Sequence, residues 1–201
     1  MTEEYVQSSS ELKGRISRSW DRWSANYDRH HDSREDDAWK RFLSEQLGRK
    51  QLKILDAGTG TGFLHIPLVE LGHKVVGVDL SQGMMSICRR KAQEKGLEID
   101  LRMGDVESLD LEDESFDAVV SRWVLWTLPH PDKALKERRR VVKPGGKILA
   151  FETPFVGRDK DKAGKRIRGI LGKVMISIIE KRDLWDEQYD KEIDDLLPLN
   201  Y

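Results

Sequence analysis

The sequence predicts an α/β fold in which a doubly wound, mainly parallel sheet carries helices on both faces. Three observations lead to this prediction. Short apolar runs alternate with helical segments across residues 51–157, and the connections between them are short. A glycine-rich loop follows the first apolar run. Glycines then close the first two helical segments, at Gly72 and Gly96.

The N-terminal part divides into two regions. Residues 1–19 are polar and rich in serine, so we expect a flexible N-terminus there. Residues 20–50 are expected to form a helical cap, because apolar residues such as Trp39 and Leu43 recur at helical spacing. Gly48 provides a stop for this helix.

The core, residues 51–157, contains five predicted strands. They are the short apolar or alternating runs at 52–58, 74–81, 99–105, 116–124 and 146–154. The helices predicted between them are 63–72, 82–96 and 130–142. Alternation of this kind gives parallel strands joined by right-handed crossovers.

The C-terminal region, residues 158–201, is predicted to be helical. Apolar residues recur at helical spacing from Ile167 to Ile179, with basic residues around them. Because no strand signal follows Phe155, strand five is expected to be an open edge, which invites pairing with another chain. We expect helix 163–180 to cover this edge, or two chains to form a homodimer there or through that helix.

The composition indicates one soluble domain. The 201 residues carry 35 Lys+Arg and 36 Asp+Glu, for a formal net charge of -1. This balance argues against a strongly basic nucleic-acid module. The lone Cys88 excludes an internal disulfide and a cysteine-rich zinc site. No apolar run reaches the roughly 18 residues of a membrane span. The acidic N-terminus is unlike a signal peptide, so the sequence predicts a cytoplasmic protein.

The sharpest motif is the loop Asp56-Ala57-Gly58-Thr59-Gly60-Thr61-Gly62 after the first strand. It lies at the carboxyl edge of the sheet, where open α/β folds bind ligands. A dinucleotide loop is disfavoured because Phe63 stands at the third glycine position of G-x-G-x-x-G, and no P-loop string is present. Asp56 is unfavourable for phosphate but suits an ammonium or sulfonium cation. The loop therefore predicts a nucleoside ligand without a pyrophosphate.

Two further carboxylates end later strands. Asp79 lies 21 residues after Gly58, where a carboxylate accepts hydrogen bonds from ribose hydroxyls. A turn or helix cap leading into Ser81 is the alternative role for Asp79. Asp105, after the third strand, could accept a hydrogen bond from an adenine amino group.

These segments resemble the successive motifs of class I S-adenosylmethionine-dependent methyltransferases. The resemblance is carried by LDAGTGTGFL, VVGVDLS, GDVESLDLEDESFDAVVSRWVLWTL and LKERRRVVKPGGKILAFE, and it covers about residues 20–155. It implies the Rossmann-like methyltransferase fold, with S-adenosyl-L-methionine as cofactor and S-adenosyl-L-homocysteine as product. The family sheet normally has seven strands, so this chain is expected to lack the last two, either as a truncated or as a short variant.

The resemblance also implies which residues hold the cofactor. Asp56 and the loop would hold the methionine part, Asp79 the ribose, and Leu80 with Met84 the adenine. Arg122 would face the methionine part, and a tyrosine in the SANYD segment would cover the cofactor. The full implied set is Tyr27, Asp56, Ala57, Gly58, Thr59, Gly60, Gly62, Asp79, Leu80, Met84, Gly104, Asp105, Val106 and Arg122.

Methyl transfer from a sulfonium is an in-line displacement that depends mainly on positioning, so no catalytic residue is required. The weak candidates are Tyr27, His30, His31, Trp123 and Trp126. A solvated helix turn is the favoured interpretation of the two histidines, and core packing explains at least one of the two tryptophans equally well. No metal is expected, because two adjacent histidines rarely share a helix face.

A small-molecule acceptor is the preferred hypothesis. The run Arg138-Arg139-Arg140 gives only weak support for a nucleic acid, because a charge run on a helix is usually a solvated face. Two alternatives stay open. The chain could be a truncated or inactive methyltransferase-like module that binds the cofactor and acts through a partner. Less favoured is an NAD(P)-dependent oxidoreductase.

Overall fold

The computed structural model of the chain describes residues 3–28, 34–152 and 175–180, and of 3–9, 34–36 and 175–180 only the backbone. The helices are α1 (Glu3–Tyr27), α2 (Arg34–Leu47), α3 (His65–Glu70), α4 (Gln82–Glu94) and α5 (Pro131–Val141). The strands are β1 (Lys53–Ala57), β2 (Lys74–Asp79), β3 (Asp100–Met103), β4 (Phe116–Arg122), β5 (Val142–Glu152) and β6 (Met175–Glu180). A short 3₁₀ helix, Leu125–Thr127, follows β4.

The strands form one sheet in the order β3-β2-β1-β4-β5-β6. Strands β1 to β5 are parallel to one another, and β6 is antiparallel to β5. The predicted doubly wound, mainly parallel sheet is therefore confirmed. The strand order reverses between β1 and β4, and the crevice outside the carboxyl ends at such a reversal is the usual ligand site of these folds.

Apolar side chains fill both faces of the sheet. Successive strand residues point to opposite faces, so Leu55 and Val119 pack on the side of α5, whereas Ile54 and Ala118 pack on the side of α2 and α3. Both faces of the central strands β1, β2 and β4 are covered, which explains why these three segments are mainly apolar without a polar alternation. Within the described part of the chain, no helix combines the length and the apolar content needed to cross a bilayer.

The expectation of a flexible segment over residues 1–19 is wrong from Glu3 onward, because α1 runs unbroken to Tyr27. α1 packs against α4. The Ser17 hydroxyl donates to the Leu80 carbonyl at 2.8 Å, and the Lys13 ammonium lies 2.5 Å from the Asp105 carboxylate. These contacts are polar and distant in sequence, so the polar composition of the segment concealed an ordered helix. The predicted end of the second helix at Gly48 is confirmed.

The C-terminal prediction also needs correction. Residues 175–180, within the predicted helix 163–180, form β6, whose Met175 pairs with Glu152 of β5. One strand after β5 is therefore present, and β6 covers the edge at which a homodimer was expected. The isoleucine-rich run 175–180 suits a strand, since β-branched residues favour extended structure and the edge of β5 offers unpaired backbone groups. The rest of the predicted C-terminal helical region lies outside the described residues.

Candidate functional site

A cleft of about 590 Å³ opens at the carboxyl ends of β1, β2 and β4, beside α1. It is lined by Ile16, Trp20, Tyr27, Gly58, Gly60, Asp79, Leu80, Met84, Gly104, Val106, Arg122, Trp123, Val124, Thr127 and Leu128. A smaller cavity of about 280 Å³ contains Asp56 and Thr59. The two cavities share Tyr27, Arg122 and two loop glycines, so most of the predicted cofactor residues meet here.

Backbone amides of the glycine loop are engaged within the protein at residues 58 to 60. The N–H groups of Gly58 and Thr59 both donate to the Val78 carbonyl, at 2.8 and 3.1 Å. The N–H of Gly60 donates to the Asp79 carboxylate at 2.8 Å. These three amides are therefore not available to hold a phosphate, which agrees with the prediction of a ligand without a pyrophosphate.

Glycine is required at two loop positions by left-handed backbone and by close packing. Gly58 has φ +82°, and a Cβ there would lie 2.4 Å from Val124 Cγ2. Gly62 has φ +85°, and a Cβ there would lie 2.5 Å from Cys88 Sγ on α4. Gly62 and the fully buried Ala57 do not line either cavity, so their contribution is to pack the loop against the core.

Asp79 lines the cleft and also organises the loops around it. Besides Gly60, its carboxylate accepts a hydrogen bond from the Ser81 N–H at 2.8 Å. Ser81 caps α4 by accepting from the Met84 N–H at 3.1 Å. Burial raises the pKa of Asp79, and the backbone N–H donors oppose that rise. The turn-forming role considered for Asp79 is thus present, in a side chain that also lines the cleft.

Helix α1 supplies a wall of the cleft that the sequence analysis did not anticipate. Ile16 and Trp20 line the cleft with Tyr27, and the rings of Trp20 and Tyr27 meet edge to face at 6.0 Å. The Asp21 carboxylate accepts from the Ser81 hydroxyl at 2.6 Å and from the Gly83 N–H at 2.8 Å, which fixes α1 to the start of α4. The helical spacing of residues 16, 20 and 27 was a usable signal for this wall.

A buried polar cluster lies beneath the loop. The Asp56 carboxylate, 2% exposed, accepts from the Thr59 hydroxyl at 2.7 Å. His65 Nδ1 lies 3.4 Å from the same hydroxyl and 4.0 Å from the carboxylate. Burial raises the pKa of Asp56 to about 7, although the Thr59 hydroxyl opposes this. Burial also lowers the pKa of His65 to about 4, so His65 is neutral at neutral pH.

Arg122 lies between two aromatic rings at the end of β4. Its guanidinium carbon is 3.5 Å from the centroid of the Trp123 ring and 3.7 Å from that of Phe63. Trp123 has φ +57°, a left-handed conformation that costs a non-glycine residue roughly 1–3 kcal/mol. The cleft wall is therefore held in a strained conformation.

Further aromatic side chains gather at the cleft. The ring of Trp126, 53% exposed, meets the ring of Trp20 edge to face at 6.3 Å. Trp20 in turn contacts Tyr27, so three aromatic side chains run in sequence beside the cleft, with Trp123 on its wall. Of the predicted candidates, Trp123 and Tyr27 line the cleft directly, and Trp126 reaches it through Trp20.

The remaining predicted residues are placed as follows. Asp105 does not line the cleft; its carboxylate binds Lys13 and accepts from the Glu107 N–H at 2.8 Å. His30 and His31 lie outside the described residues. Among the residues that the structure describes, no cluster of three or more histidine, cysteine or acidic side chains could hold a metal.

The arginine run on α5 does not form an exposed basic face. Arg138 is fully buried. Arg140 binds Glu137 at 2.7 Å and Asp113 at 2.6 Å. Two of the three charges are thus already engaged or hidden, which removes the weak support that this run gave to a nucleic-acid ligand.

Comparison with known proteins assigns the family. A profile described as a methyltransferase domain matches residues 55–150. A phosphatidylethanolamine N-methyltransferase from Cereibacter sphaeroides is 33% identical over 165 residues, which cover 78% of this chain and 79% of that protein. A demethylmenaquinone methyltransferase from Thermus thermophilus is 38% identical over 117 residues, 57% of this chain and 53% of that protein. The crystal structure of a SAM-dependent methyltransferase from Aquifex aeolicus shares the fold, with a TM-score of 0.59 at 20% identity and 86% coverage of each chain.

The parallel sheet, with a cleft at its carboxyl edge, defines an α/β protein of the class that binds ligands at the ends of its strands. The chain belongs to the class I S-adenosylmethionine-dependent methyltransferase family, as its sequence motifs predicted. It is a methyltransferase enzyme of that family, and it spans most of the first relative and about half of the second.

Proposed function

We propose that the cleft and the adjoining cavity bind S-adenosylmethionine, and that the methyl acceptor is an amine on an amphipathic small molecule. The observation that supports the proposal is that one cleft is lined both by residues suited to a nucleoside and by aromatic side chains. Asp79, Leu80 and Met84 offer one carboxylate and apolar walls to a nucleoside, while Trp20 and Trp123 line the same cleft with aromatic side chains.

The nucleoside end of the cofactor fits the β2 side of the cleft. Asp79 has lone pairs beyond those used by Gly60 and Ser81, since a carboxylate accepts about four hydrogen bonds, so ribose hydroxyls can add to them. Leu80 and Met84 supply apolar contacts for an adenine ring, with Gly104 and Val106 beyond them. The role of Asp105 at the adenine edge stays a prediction, because Lys13 already pairs with it.

The methionine end fits the smaller cavity. Asp56 supplies an anion there for the ammonium group of the cofactor, and Arg122 a cation for its carboxylate. Tyr27 lines both cavities and is suited to cover the cofactor. When bound, S-adenosylmethionine supplies an electrophilic methyl group on a sulfonium.

The aromatic side chains favour an amine acceptor. Tryptophan faces attract ammonium groups, by about 0.5–2 kcal/mol. The amine attacks as its free base, each transfer leaves a cationic ammonium product, and that product must lose a proton before another methyl can be added. The relative from Cereibacter sphaeroides is named a phosphatidylethanolamine N-methyltransferase, phosphatidylethanolamine is an amphipathic amine, and this 165-residue match is longer than the methyltransferase-domain match over residues 55–150. The residues of this chain would act by aligning the amine and excluding water. A cytoplasmic location is part of the proposal, supported by the buried free thiol of Cys88.

The first experiment is calorimetric titration of the full chain with S-adenosylhomocysteine, with NADH in parallel. Binding of the first ligand alone is the expected result, and binding of NADH instead would contradict the cofactor assignment. Labelled methyl transfer is then measured with phosphatidylethanolamine in mixed micelles, free phosphoethanolamine and demethylmenaquinone. Transfer to the lipid amine is expected. Transfer only to the quinone would overturn the acceptor class, and cofactor binding without any transfer would favour the non-catalytic module.

A matched pair of variants tests the aromatic contribution. Trp20→Ala removes a ring that lines the cleft, whereas Trp23→Ala removes one that is 63% exposed on the same helix and does not line it. We expect Trp20→Ala to raise the KM for the amine by roughly three- to thirtyfold, the range for a cation–π contact. Trp23→Ala should stay within twofold of the wild-type protein, and equal effects of both would contradict the proposal.

A further inference from the structure

The polar side of helix α1 contacts three loops of the cleft. Positions 13, 17 and 21 recur at helical spacing, and position 28 directly follows the helix. Their side chains reach the loops after β1, β2 and β3, and residues of all three loops line the cleft. The contacts join Asp28 to Thr61 at 2.8 Å, Ser17 to the Leu80 carbonyl at 2.8 Å, Asp21 to Ser81 at 2.6 Å and Lys13 to Asp105 at 2.5 Å.

Asp21 holds the turn between β2 and α4 at two points. Its Oδ1 atom accepts hydrogen bonds from the Ser81 hydroxyl at 2.6 Å and from the Gly83 N–H at 2.8 Å. Gly83 is the second residue of α4, and the first N–H groups of a helix find no acceptor within it, so Asp21 supplies one from another helix. The two backbones also approach closely, because a Cβ at Gly83 would lie 3.0 Å from Asp21 Cα.

The turn that Asp21 holds also orients Asp79. The Ser81 hydroxyl donates to Asp21, while the Ser81 N–H donates to Asp79 Oδ1 at 2.8 Å. The other oxygen of Asp79 accepts from the Gly60 N–H at 2.8 Å. Direct hydrogen bonds therefore connect α1 to the carboxylate of the nucleoside end and, through it, to the glycine loop.

The same helix places aromatic side chains at the cleft. Trp20, which directly precedes Asp21, lines the cleft, and so does Tyr27 one turn and a half further on. A helix in a protein is stabilised mainly by its packing, so the position of α1 depends on its contacts with these loops. A change in docking at Asp21 would therefore displace the aromatic wall as well as the turn.

We propose that Asp21 and Ser17 are positioning residues: they hold α1 on the turn 80–83 and thereby fix both Asp79 and the aromatic wall of the cleft. Neither side chain lines the cleft, so each acts only through the groups that it holds. The inference rests on the proposed function only in regarding this cleft as the cofactor site.

Amide hydrogen exchange in the ligand-free protein tests the proposal. Asp21→Ala removes the carboxylate but favours the helix, since alanine is the stronger helix former. We expect exchange at the Ser81 amide to accelerate at least about tenfold, and at the Gly60 amide at least about threefold, relative to the amide of Val120 in β4. Asp21→Asn keeps an oxygen that can accept both hydrogen bonds, so it should return both rates to within about threefold of wild type.

Glu11→Ala is the matched control, because it removes a carboxylate from an exposed position of the same helix. It should leave both amides within about twofold of wild type. Acceleration in Asp21→Ala that is confined to the Gly83 amide would show that Asp21 only caps α4. Uniform acceleration of the core amides would show a contribution to global stability alone. Either result would overturn the proposal.

A second pair of variants keeps the test decisive if Asp21→Ala does not fold. Ser17→Ala removes the hydroxyl that contacts Leu80 and leaves Asp21 in place, whereas Ser10→Ala makes the same change at an exposed position of α1. Ser17→Ala should accelerate exchange at the Ser81 amide at least about threefold, and Ser10→Ala should match wild type. Equal rates in the two variants would contradict the positioning role.

Calorimetry with S-adenosylhomocysteine separates this inference from the cofactor assignment. We expect the Kd of Asp21→Ala to rise by about five- to thirtyfold, the usual range for coupled sites, and that of Glu11→Ala to stay within about twofold. Wild-type affinity in Asp21→Ala would overturn the positioning role. Absence of binding to the wild-type protein would instead overturn the cofactor assignment, and the exchange rates would still decide whether Asp21 positions the cleft.

Discussion

The backbone N–H of Gly60 donates a 2.8 Å hydrogen bond to the carboxylate of Asp79, which ties the glycine loop after β1 to the end of β2. The same carboxylate holds the Ser81 N–H at the start of the connection into α4. One side chain therefore sets the relative positions of the two loops that form the nucleoside end of the cleft.

Replacing Asp79 with asparagine should loosen the hydrogen bonding that holds the two loops and should weaken ligand binding. An asparagine oxygen can accept from one of the two backbone donors, but its NH₂ group would oppose the other, so a buried N–H loses its partner. We expect S-adenosylhomocysteine affinity to fall by about 1–3 kcal/mol, measured by calorimetry. Asp100→Asn, on the exposed edge strand β3, is the control and should leave the affinity unchanged. Wild-type affinity in Asp79→Asn would remove this carboxylate from the ligand site.

Alanine at Gly58 should cost more than alanine at Gly72, although both glycines have similar φ values, +82° and +86°. At Gly72 nothing lies within 4 Å of an added Cβ, so only the left-handed conformation is penalised, by about 1–2 kcal/mol. At Gly58 the Cβ would also overlap the Val124 side chain, adding about 1–3 kcal/mol. Urea unfolding measures both variants. Equal losses of unfolding free energy in the two variants would mean that residues 123–128, which follow β4 and contribute to the cleft wall, move aside at no cost.

The affinity for S-adenosylhomocysteine should rise with pH between 6 and 8. The pKa of Asp56 is raised to about 7 by burial, so the carboxyl is largely protonated at pH 6 and largely ionised at pH 8. The ligand ammonium prefers the ionised form, so affinity should change by up to about tenfold per pH unit below the pKa. Calorimetry at pH 6, 7 and 8 checks this. Asp56→Asn should bind more weakly and without this slope; a flat wild-type profile would argue against contact between Asp56 and the ammonium.

The buried residues His65 and Asp56 should both contribute to the pH dependence of the unfolding free energy. The native pKa of His65 is lowered to about 4 because the side chain is buried in its neutral form. As pH falls from 6.5 to 4, this histidine is protonated in the unfolded state but not in the native state, so the protein becomes less stable. The native pKa of Asp56 is raised to about 7, so this group makes the protein more stable over the same fall in pH. The two contributions oppose each other in the wild-type protein.

Substituting either residue should therefore reveal what the other one contributes to the pH dependence of stability. Relative to wild type, His65→Gln should gain stability on acidification from pH 6.5 to 4, by up to about 1.4 kcal/mol per pH unit. Asp56→Asn should show the opposite trend over the same range. Urea unfolding at pH 6.5, 5.5 and 4.5 provides the comparison. Parallel pH profiles for wild type and His65→Gln would show that His65 is not held neutral in the native protein.

Local pattern was sufficient for the sheet and for the loop. The five parallel strands and the helices between them follow from short apolar runs, helical periodicity and closing glycines, all of which are properties of neighbouring residues. The glycine loop and Asp79 were placed correctly at the carboxyl edge because chain order fixes which end of each strand faces the ligand. The sequence by itself thus determined the fold class, the family and most of the cleft lining.

Tertiary contacts decided the rest. Helix α1 is fixed by Lys13, Ser17 and Asp21, whose partners lie at least 60 residues away in the chain, so no local signal marks it as ordered. The segment 175–180 carries an apolar pattern that fits helix or strand, and the unpaired edge of β5 selects the strand. From the sequence, Arg138 is expected to be one of three solvated arginines on a helix, but the packing of α5 buries it completely. In each case the deciding partner is distant in sequence, and only the folded chain brings it into contact.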